Sequence, residues 1–331
     1  MPSALRILSP LGILLVPALV LAGPPARTAL PSLPSYILPV DASVKDRAVG
    51  EACRRGLGTL QGAVVAMDPH SGRVLAIVNP AQAVDHAYQP CSVFKIVVAI
   101  AGLTEGVITP DTKIACQGGC WLWPGHGMID LRRALADSCN VYFERVGERL
   151  GYAKVAHYAQ LLGLGSASGI NVPGESSGHL PEFVPPEAVG HLSSHAAGIA
   201  TTPLQLGVAI SAAINGGIVY APQVGTAAGF APRERWRLPT GTVTAPLLDG
   251  FEGAVNEGSA IAAFDADIAV AGKTGSCGQM GWFASYAPAE HPELVLVVFL
   301  RWGNGRGASQ VAGRIFQELY KPSAGGAPQA H

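Results

Sequence analysis

Charge is scarce in this chain. Charged residues make up 14% of the sequence and aromatic residues 7%, where an ordinary soluble domain is roughly 25% charged. Lysine occurs six times in 331 residues, and 22 basic against 23 acidic side chains leave a formal charge of -1. No basic stripe is available to neutralise phosphates, so nucleic acid has no electrostatic footing here. The absence of an internal repeat sets aside solenoids and propellers, and low complexity is confined to the two ends. With 49% hydrophobic residues, the body of the chain can bury a large core and is not a disordered polymer.

The N-terminus carries what the rest lacks, an apolar run. Arg6 precedes Ile7–Ala22, which Pro10 and Pro17 interrupt, and Gly23, Pro24, Pro25, Pro31 and Pro34 follow. A short positive region, an apolar core and small residues near Ala22 match a secretory signal peptide. A membrane-spanning helix needs about 20 apolar residues, so a cleaved leader over residues 1–22 is favoured over an uncleaved short anchor. In both cases the protein is exported, to the periplasm or cell surface. Six cysteines in such a compartment raise the question of disulfides. Their spacing speaks against a general framework: Cys53, Cys91 and Cys277 are scattered, while Cys116, Cys120 and Cys139 cluster around His126.

Residues 23–59 read as a linker, 60–320 as the main domain and 321–331 as a flexible tail. Two β-rich runs, Ala63–Met67 and Val74–Val78, flank the turn Asp68-Pro69-His70-Ser71-Gly72, a hairpin signal. Val93–Leu103 is apolar nearly all round and predicts a buried helix. Cys116–Gly127 holds four glycines and a proline in twelve residues, an irregular loop. Helical patterns follow at Leu131–Asp137, Val141–Leu150, Tyr152–Leu162, Pro203–Ile214 and Leu247–Asn256. Strands return at Ile268–Thr274, Met280–Tyr286 and Leu294–Leu300 before a last helix, Ala308–Leu319. The order predicts an α+β fold: a five-stranded antiparallel sheet completed by both ends of the chain, flanked by helices, with a mostly helical subdomain.

Three short motifs carry chemistry. In Ser92-Val93-Phe94-Lys95, at a helix start, hydroxyl and amine share a face three residues apart. Serine needs a neighbouring base, and a lysine desolvated among Phe94, Ile96 and Val97 can have its pKa lowered enough to serve. The bland alternative for the tetrad alone is a helix cap and a lysine reaching solvent. Ser138-Cys139-Asn140 offers a hydroxyl that can relay a proton and an amide that can both donate and accept; alone it reads as a cap. Lys273-Thr274-Gly275-Ser276 ends a strand, where lysine and hydroxyls can hold a carboxylate and Gly275 lets another backbone approach. Its bland reading is a turn after a solubilised edge strand.

In this order and spacing the three motifs form the set shared by serine β-lactamases and penicillin-binding proteins. The chain resembles the penicillin-binding transpeptidase domain over about residues 60–320. Val65-Ala66-Met67-Asp68-Pro69 with Ser71–Ala76 looks like its opening hairpin; Gly106–Thr112, Thr202-Pro203-Leu204-Gln205 with Asn215-Gly216-Gly217, and Trp282–Pro288 also fit. Gly125-His126-Gly127 before the second motif resembles the cell-elongation type.

That resemblance implies the roles. Ser92 would be acylated by the penultimate D-alanine of a peptidoglycan stem peptide, with Lys95 as base, Ser138 as proton relay and Asn140 on the peptide amide. Lys273, Thr274 and Ser276 would hold the terminal carboxylate, and the N–H groups of Ser92 and Ser276 would form the oxyanion hole. β-Lactams would inhibit it covalently. Two departures from what the resemblance implies stand out: about forty residues separate the apolar run from the domain where elongation and division enzymes carry a large N-terminal pedestal, and Ser193–Gly198 stands where a Gly-rich segment is expected. Transpeptidase and carboxypeptidase activities both fit. A β-lactamase, or a non-catalytic β-lactam sensor, stays open as the alternative.

Cys116, Cys120, His126 and Cys139 form a candidate zinc site. Three thiols and an imidazole make a closed tetrahedral set, with three, five and twelve residues between successive ligands. Elongation-type relatives carry a similar arrangement. No organic cofactor is expected. The rival is a Cys116–Cys120 disulfide with His126 merely packed beside it.

Overall fold

The structure is a computed structural model that describes residues 35–40, 42–225, 230–238 and 244–321. The segment read as leader or anchor, residues 1–22, and residues 322–331 of the tail lie outside the described residues. Among the described residues no helix is long and apolar enough to cross a membrane.

The chain opens with β1 (Tyr36–Ile37), α1 (Val44–Leu57) and the hairpin β2 (Gly62–Met67)–β3 (Arg73–Val78). A 3-10 turn, Cys91–Phe94, leads straight into α2 (Lys95–Thr104). The helical subdomain follows: a small hairpin, β4 (Ile114–Cys116) and β5 (Gly127–Ile129), then α3 (Leu131–Ala136), α4 (Asn140–Leu150), α5 (Tyr152–Leu161) and α6 (Pro186–His195). Next come α7 (Pro203–Ile214), β6 (Ile218–Tyr220), β7 (Gln223–Val224), β8 (Glu234–Arg237) and α8 (Thr244–Asn256). The chain closes with β9 (Ala271–Cys277), β10 (Met280–Ala287), β11 (Leu294–Leu300) and α9 (Gly305–Tyr320).

The main sheet runs β1-β3-β2-β11-β10-β9, with β7 parallel to β3. The five consecutive strands from β3 to β9 in this order are antiparallel neighbours, as the sequence predicts. The difference is two additional strands, β1 and β7, of two residues each, too short to show alternation. β11, Leu294–Leu300, is buried throughout, because helices cover both faces. Val295, Val297 and Phe299 share one core with α2 and α7, while Leu294, Leu296 and Val298 share the other with α1 and α9. Strand alternation thus serves two cores at once.

Residues 23–59, expected to be a linker, include β1 and α1. Ser43 caps α1 in a reciprocal box with Asp46, and Val49, Ala52, Cys53 and Leu57 pack in the core shared with α9. The Pro-rich composition that signals a linker stops at Pro39, and the capping box four residues later is the overlooked signal. α7 starts where Pro203 predicts, capped by Thr202 and Gln205. The buried Gln205 amide also donates to Ser166 O and Ser177 O, each at 2.9 Å, tying the crossing loop to the helix.

Sequence reading did not find α6. It crosses α4 closely because small residues meet there: a Cβ at Gly147 would lie 2.0 Å from Ser193 Oγ, and one at Gly190 would lie 2.9 Å from Glu148 Oε1. That approach brings the end of α6 to the head of α4.

Candidate active site

A cleft of about 400 Å³ opens where α2, α4, α6 and β9 converge, lined by Ser92, Ser138, Asn140, His195, Thr274, Gly275 and Ser276 among others. All three sequence motifs meet in it. Ser92 sits in the 3-10 turn, so its N–H points free of the α2 ladder. Of the four non-glycine residues with left-handed backbone among the described residues, Ser138 (φ 56) lines this cleft, while Cys91 (φ 53) and Ala196 (φ 58) directly adjoin the lining residues Ser92 and His195 in the chain. Strain of this kind persists where the surroundings over-determine it.

Lys95 lies beneath the floor, fully buried. Its Nζ donates to Ser138 O at 2.7 Å, Ser138 Oγ at 3.2 Å and Asn140 Oδ1 at 2.6 Å. No hydrogen bond joins it to Ser92 among the described residues; the amine is held by the second motif. Burial pushes its ammonium down to about 7, against an opposing pull from Cys139, Cys120 and Glu144.

β9 is an edge strand, with β10 on one side only. Thr274 Oγ1 shares a 2.7 Å hydrogen bond with Ser259 Oγ, and the Gly305 N–H donates to Ser276 Oγ at 2.7 Å. Lys273 departs from its expected place. It is fully buried, does not line the cleft, and donates to Thr274 O at 2.9 Å. Burial, then the charge of Lys95, holds it well below its usual value. The cation on the cleft wall is Arg306, with Asn304 and Ser259 nearby, none of them singled out by the sequence. Asn304, the N-cap of α9, was the available signal.

Gly275 also serves a different neighbour from the one expected. A Cβ there would lie 2.8 Å from Pro90 O and 3.0 Å from Val93 Cγ2, so the close backbone is that of the Ser92 turn. A Cys91–Cys277 disulfide, spanning 186 residues with Cα atoms 5.7 Å apart, fastens the same crossing. Two of the three scattered cysteines are therefore paired. Cys53, Cys116, Cys120 and Cys139 are free.

The cysteine cluster assembles behind the second motif. Cys116 ends β4, His126 precedes β5, and Cys139 caps α4. Cys116 Sγ lies 3.4 Å from His126 Nδ1, Cys120 Sγ lies 3.9 Å from Cys139 Sγ, and the four donors fall within 4.8 Å of one another. Sulfurs on a tetrahedral zinc with bonds near 2.3 Å stand about 3.8 Å apart. The donor set is of the kind such an ion takes, and the buried His126 Nε2 has no partner among the described residues.

The fold and the order of the three motifs place the chain in the class of serine β-lactamases and penicillin-binding proteins. Residues 62–321 match the penicillin binding protein transpeptidase domain, and the chain belongs to that family. It is similar to stage V sporulation protein D of Bacillus subtilis, 29% identical over 76% of this chain and 46% of the relative. It is also similar to peptidoglycan D,D-transpeptidase MrdA of Haemophilus influenzae, 28% identical over 77% of this chain and 52% of the relative. The chain spans about half the length of these curated relatives. In fold it resembles Pseudomonas aeruginosa PBP2, with a TM-score of 0.71, 23% identity, and coverage of 82% of this chain and 75% of that one.

Proposed function

We propose that this protein is an exported penicillin-binding serine acyl-transferase acting on the D-Ala-D-Ala end of peptidoglycan stem peptides, as a D,D-transpeptidase or D,D-carboxypeptidase. The observation that carries this reading is the convergence of Ser92, Ser138, Asn140, Thr274 and Ser276 on one cleft, above a buried Lys95 whose ammonium is pushed down to about 7. Ser92 Oγ attacks the carbonyl of the penultimate D-alanine while its proton passes to the Lys95 free base, with Ser138 as relay. Charge on the carbonyl oxygen develops against the N–H groups of Ser92 and Ser276. The peptide C–N bond then breaks, the departing D-alanine amine takes the proton, and the acyl group stays on Ser92. An amine of a neighbouring peptide, or water, attacks the ester and frees the serine. Asn140 holds the peptide amide, and the substrate strand adds to the open edge of β9. Thr274, Ser276 and Arg306 receive the terminal carboxylate, with Lys273 supporting Thr274 from below.

Cys116, Cys120, His126 and Cys139 would hold a structural zinc ion. It would order the loop of residues 116–127 and fix Ser138 and Asn140 from behind, on either side of Cys139. It supplies no chemistry to the reacting atoms.

Intact-mass measurement over time after adding a penicillin tests the activity. One adduct per chain that persists, together with release of D-alanine from a D-Ala-D-Ala peptide, is expected. Rapid return to free protein with hydrolysed drug makes the chain a β-lactamase, and an adduct without any peptide turnover makes it a sensor. Elemental analysis of protein purified without added metal tests the ion. About one zinc per chain is expected; metal-free protein with Cys116 linked to Cys120 ends that reading.

A further inference from the structure

His195, the last residue of α6, lines the cleft beside Asn140. The orientation of the Asn140 amide is set from the other side. Lys95 Nζ donates to Oδ1 at 2.6 Å, so the oxygen faces Lys95 and Nδ2 faces His195 Nε2, 3.2 Å away. An amide nitrogen only donates, so Nε2 must present its lone pair and the ring proton must sit on Nδ1. Nδ1 lies 2.6 Å from Ser194 Oγ. The Ser194 hydroxyl in turn reaches Glu144 Oε1 at 3.1 Å, with His191 O as a second acceptor at 3.2 Å. The donors therefore run one way, from Asn140 through His195 and Ser194 to the Glu144 carboxylate.

We propose that Glu144, Ser194 and His195 form a hydrogen-bonded relay that locks Asn140, making His195 a positioning residue for acyl transfer. The proposal rests on the Ser92 acyl-enzyme reading. One Nδ2 proton of Asn140 is spent on His195, which leaves the other to donate to a substrate amide carbonyl. The relay is fastened by packing. Ser194 is fully buried, and Gly147 and Gly190 let α6 approach α4 closely. Gln89 Nε2 donates to His195 O at 2.7 Å, tying the imidazole's backbone to the segment just before the Ser92 turn. Ala196, left-handed at φ 58, ends the helix so that His195 faces the cleft. Glu144, His191 and His195 also lie close enough together to hold a cation, but the relay leaves neither His195 nitrogen a free lone pair.

Protonation of His195 would place an N–H against the Asn140 N–H and release the amide. The titratable groups facing the imidazole are His191 on its own helix, stacked with ring centroids 4.4 Å apart, Lys95 on α2, and Glu144 on α4 through Ser194. Burial first, then His191 and Lys95, holds His195 below its ordinary value, so the relay is intact at neutral pH.

The test is the second-order rate of acylation by a fluorescent penicillin, measured from pH 5 to 8 on folded protein. His195→Phe removes the acceptor and should slow acylation about tenfold at pH 7, the worth of one hydrogen bond. His195→Gln, whose amide oxygen can accept from Asn140, should recover most of that loss. On the acid side the wild-type rate should fall by more than one decade per pH unit where Lys95 and His195 both take protons. His195→Gln, which keeps Lys95 but loses the imidazole, should fall less steeply, by about one decade per pH unit. If His195→Phe does not fold, Ser194→Ala removes a single oxygen and should slow acylation severalfold. Unchanged rates in both His195→Phe and Ser194→Ala, or the wild-type slope retained in His195→Gln, would overturn the relay alone. A wild-type protein that is never acylated at Ser92 would remove the acyl-transfer reading together with it.

Discussion

Replacing both partners of the Cys91–Cys277 bond should weaken the fold and the chemistry together. The perturbation is Cys91→Ser with Cys277→Ser, a double change that leaves no new free thiol. A reductant is the poorer tool, because it also acts on the free thiols of the cysteine cluster. The bond closes a loop of 186 residues, and the chain-entropy expression assigns such a loop about 5 kcal/mol at 25 °C. Losses measured for native disulfides are about 2–5 kcal/mol. At roughly 2–4 °C per kcal/mol for a domain of this size, the melting temperature should drop by about 10 °C. The functional effect follows from position. Cys91 adjoins Ser92 and Cys277 adjoins Ser276, so the bond flanks both N–H groups assigned to the oxyanion hole. Its backbones already approach so closely that a Cβ at Gly275 would lie 2.8 Å from Pro90 O. Thermal unfolding monitored by circular dichroism gives the first quantity, and the acylation rate by a fluorescent penicillin gives the second. The double variant should melt lower and acylate more slowly. Unchanged melting together with an unchanged rate would refute the reasoning.

Three other outcomes are expected. With the Lys95 ammonium pushed down to about 7, acylation needs its free base, so the rate should rise with pH through 7 and then level; a flat profile from pH 6 to 8 would count against Lys95 as base. Gly275→Ala should cost about 1–3 kcal/mol from overpacking against Pro90 O and Val93 Cγ2, seen in chemical denaturation, and acylation should slow with it. Arg306→Ala should raise KM about tenfold for peptides ending in a free carboxylate and leave the amidated analogue unaffected, since charge-assisted hydrogen bonds are the stronger kind; equal effects on both peptides would contradict its role.

The sequence was most legible where local pattern and packing agree. The five strands β2, β3, β9, β10 and β11, with α2 and α7, all carry apolar runs or caps that read directly, and the three motifs fall on a turn, a helix head and an edge strand as their chemistry requires. What stayed hidden is set by contacts remote in sequence. Cys91 and Cys277 pair across 186 residues, and spacing alone carries no information on such a partner. α6 lacks an obvious apolar stripe because Gly190 and Ser193 face Gly147 and the side chains of α4. Close crossing demands small residues there, which blurs the helical pattern. That concealment also hid His195. Lys273 reads as a cleft cation, yet the pleat buries it and puts Thr274 on the cleft wall, while Arg306 arrives from α9.

The central claim is that Ser92 is the nucleophile, and peptide mapping of the penicillin adduct tests it most directly. Wild-type protein should carry one drug mass on the peptide containing Ser92, and Ser92→Ala should carry none while melting normally. A Ser92→Ala protein that still gained the drug mass, on Ser138, Ser276 or any other residue, would contradict the account.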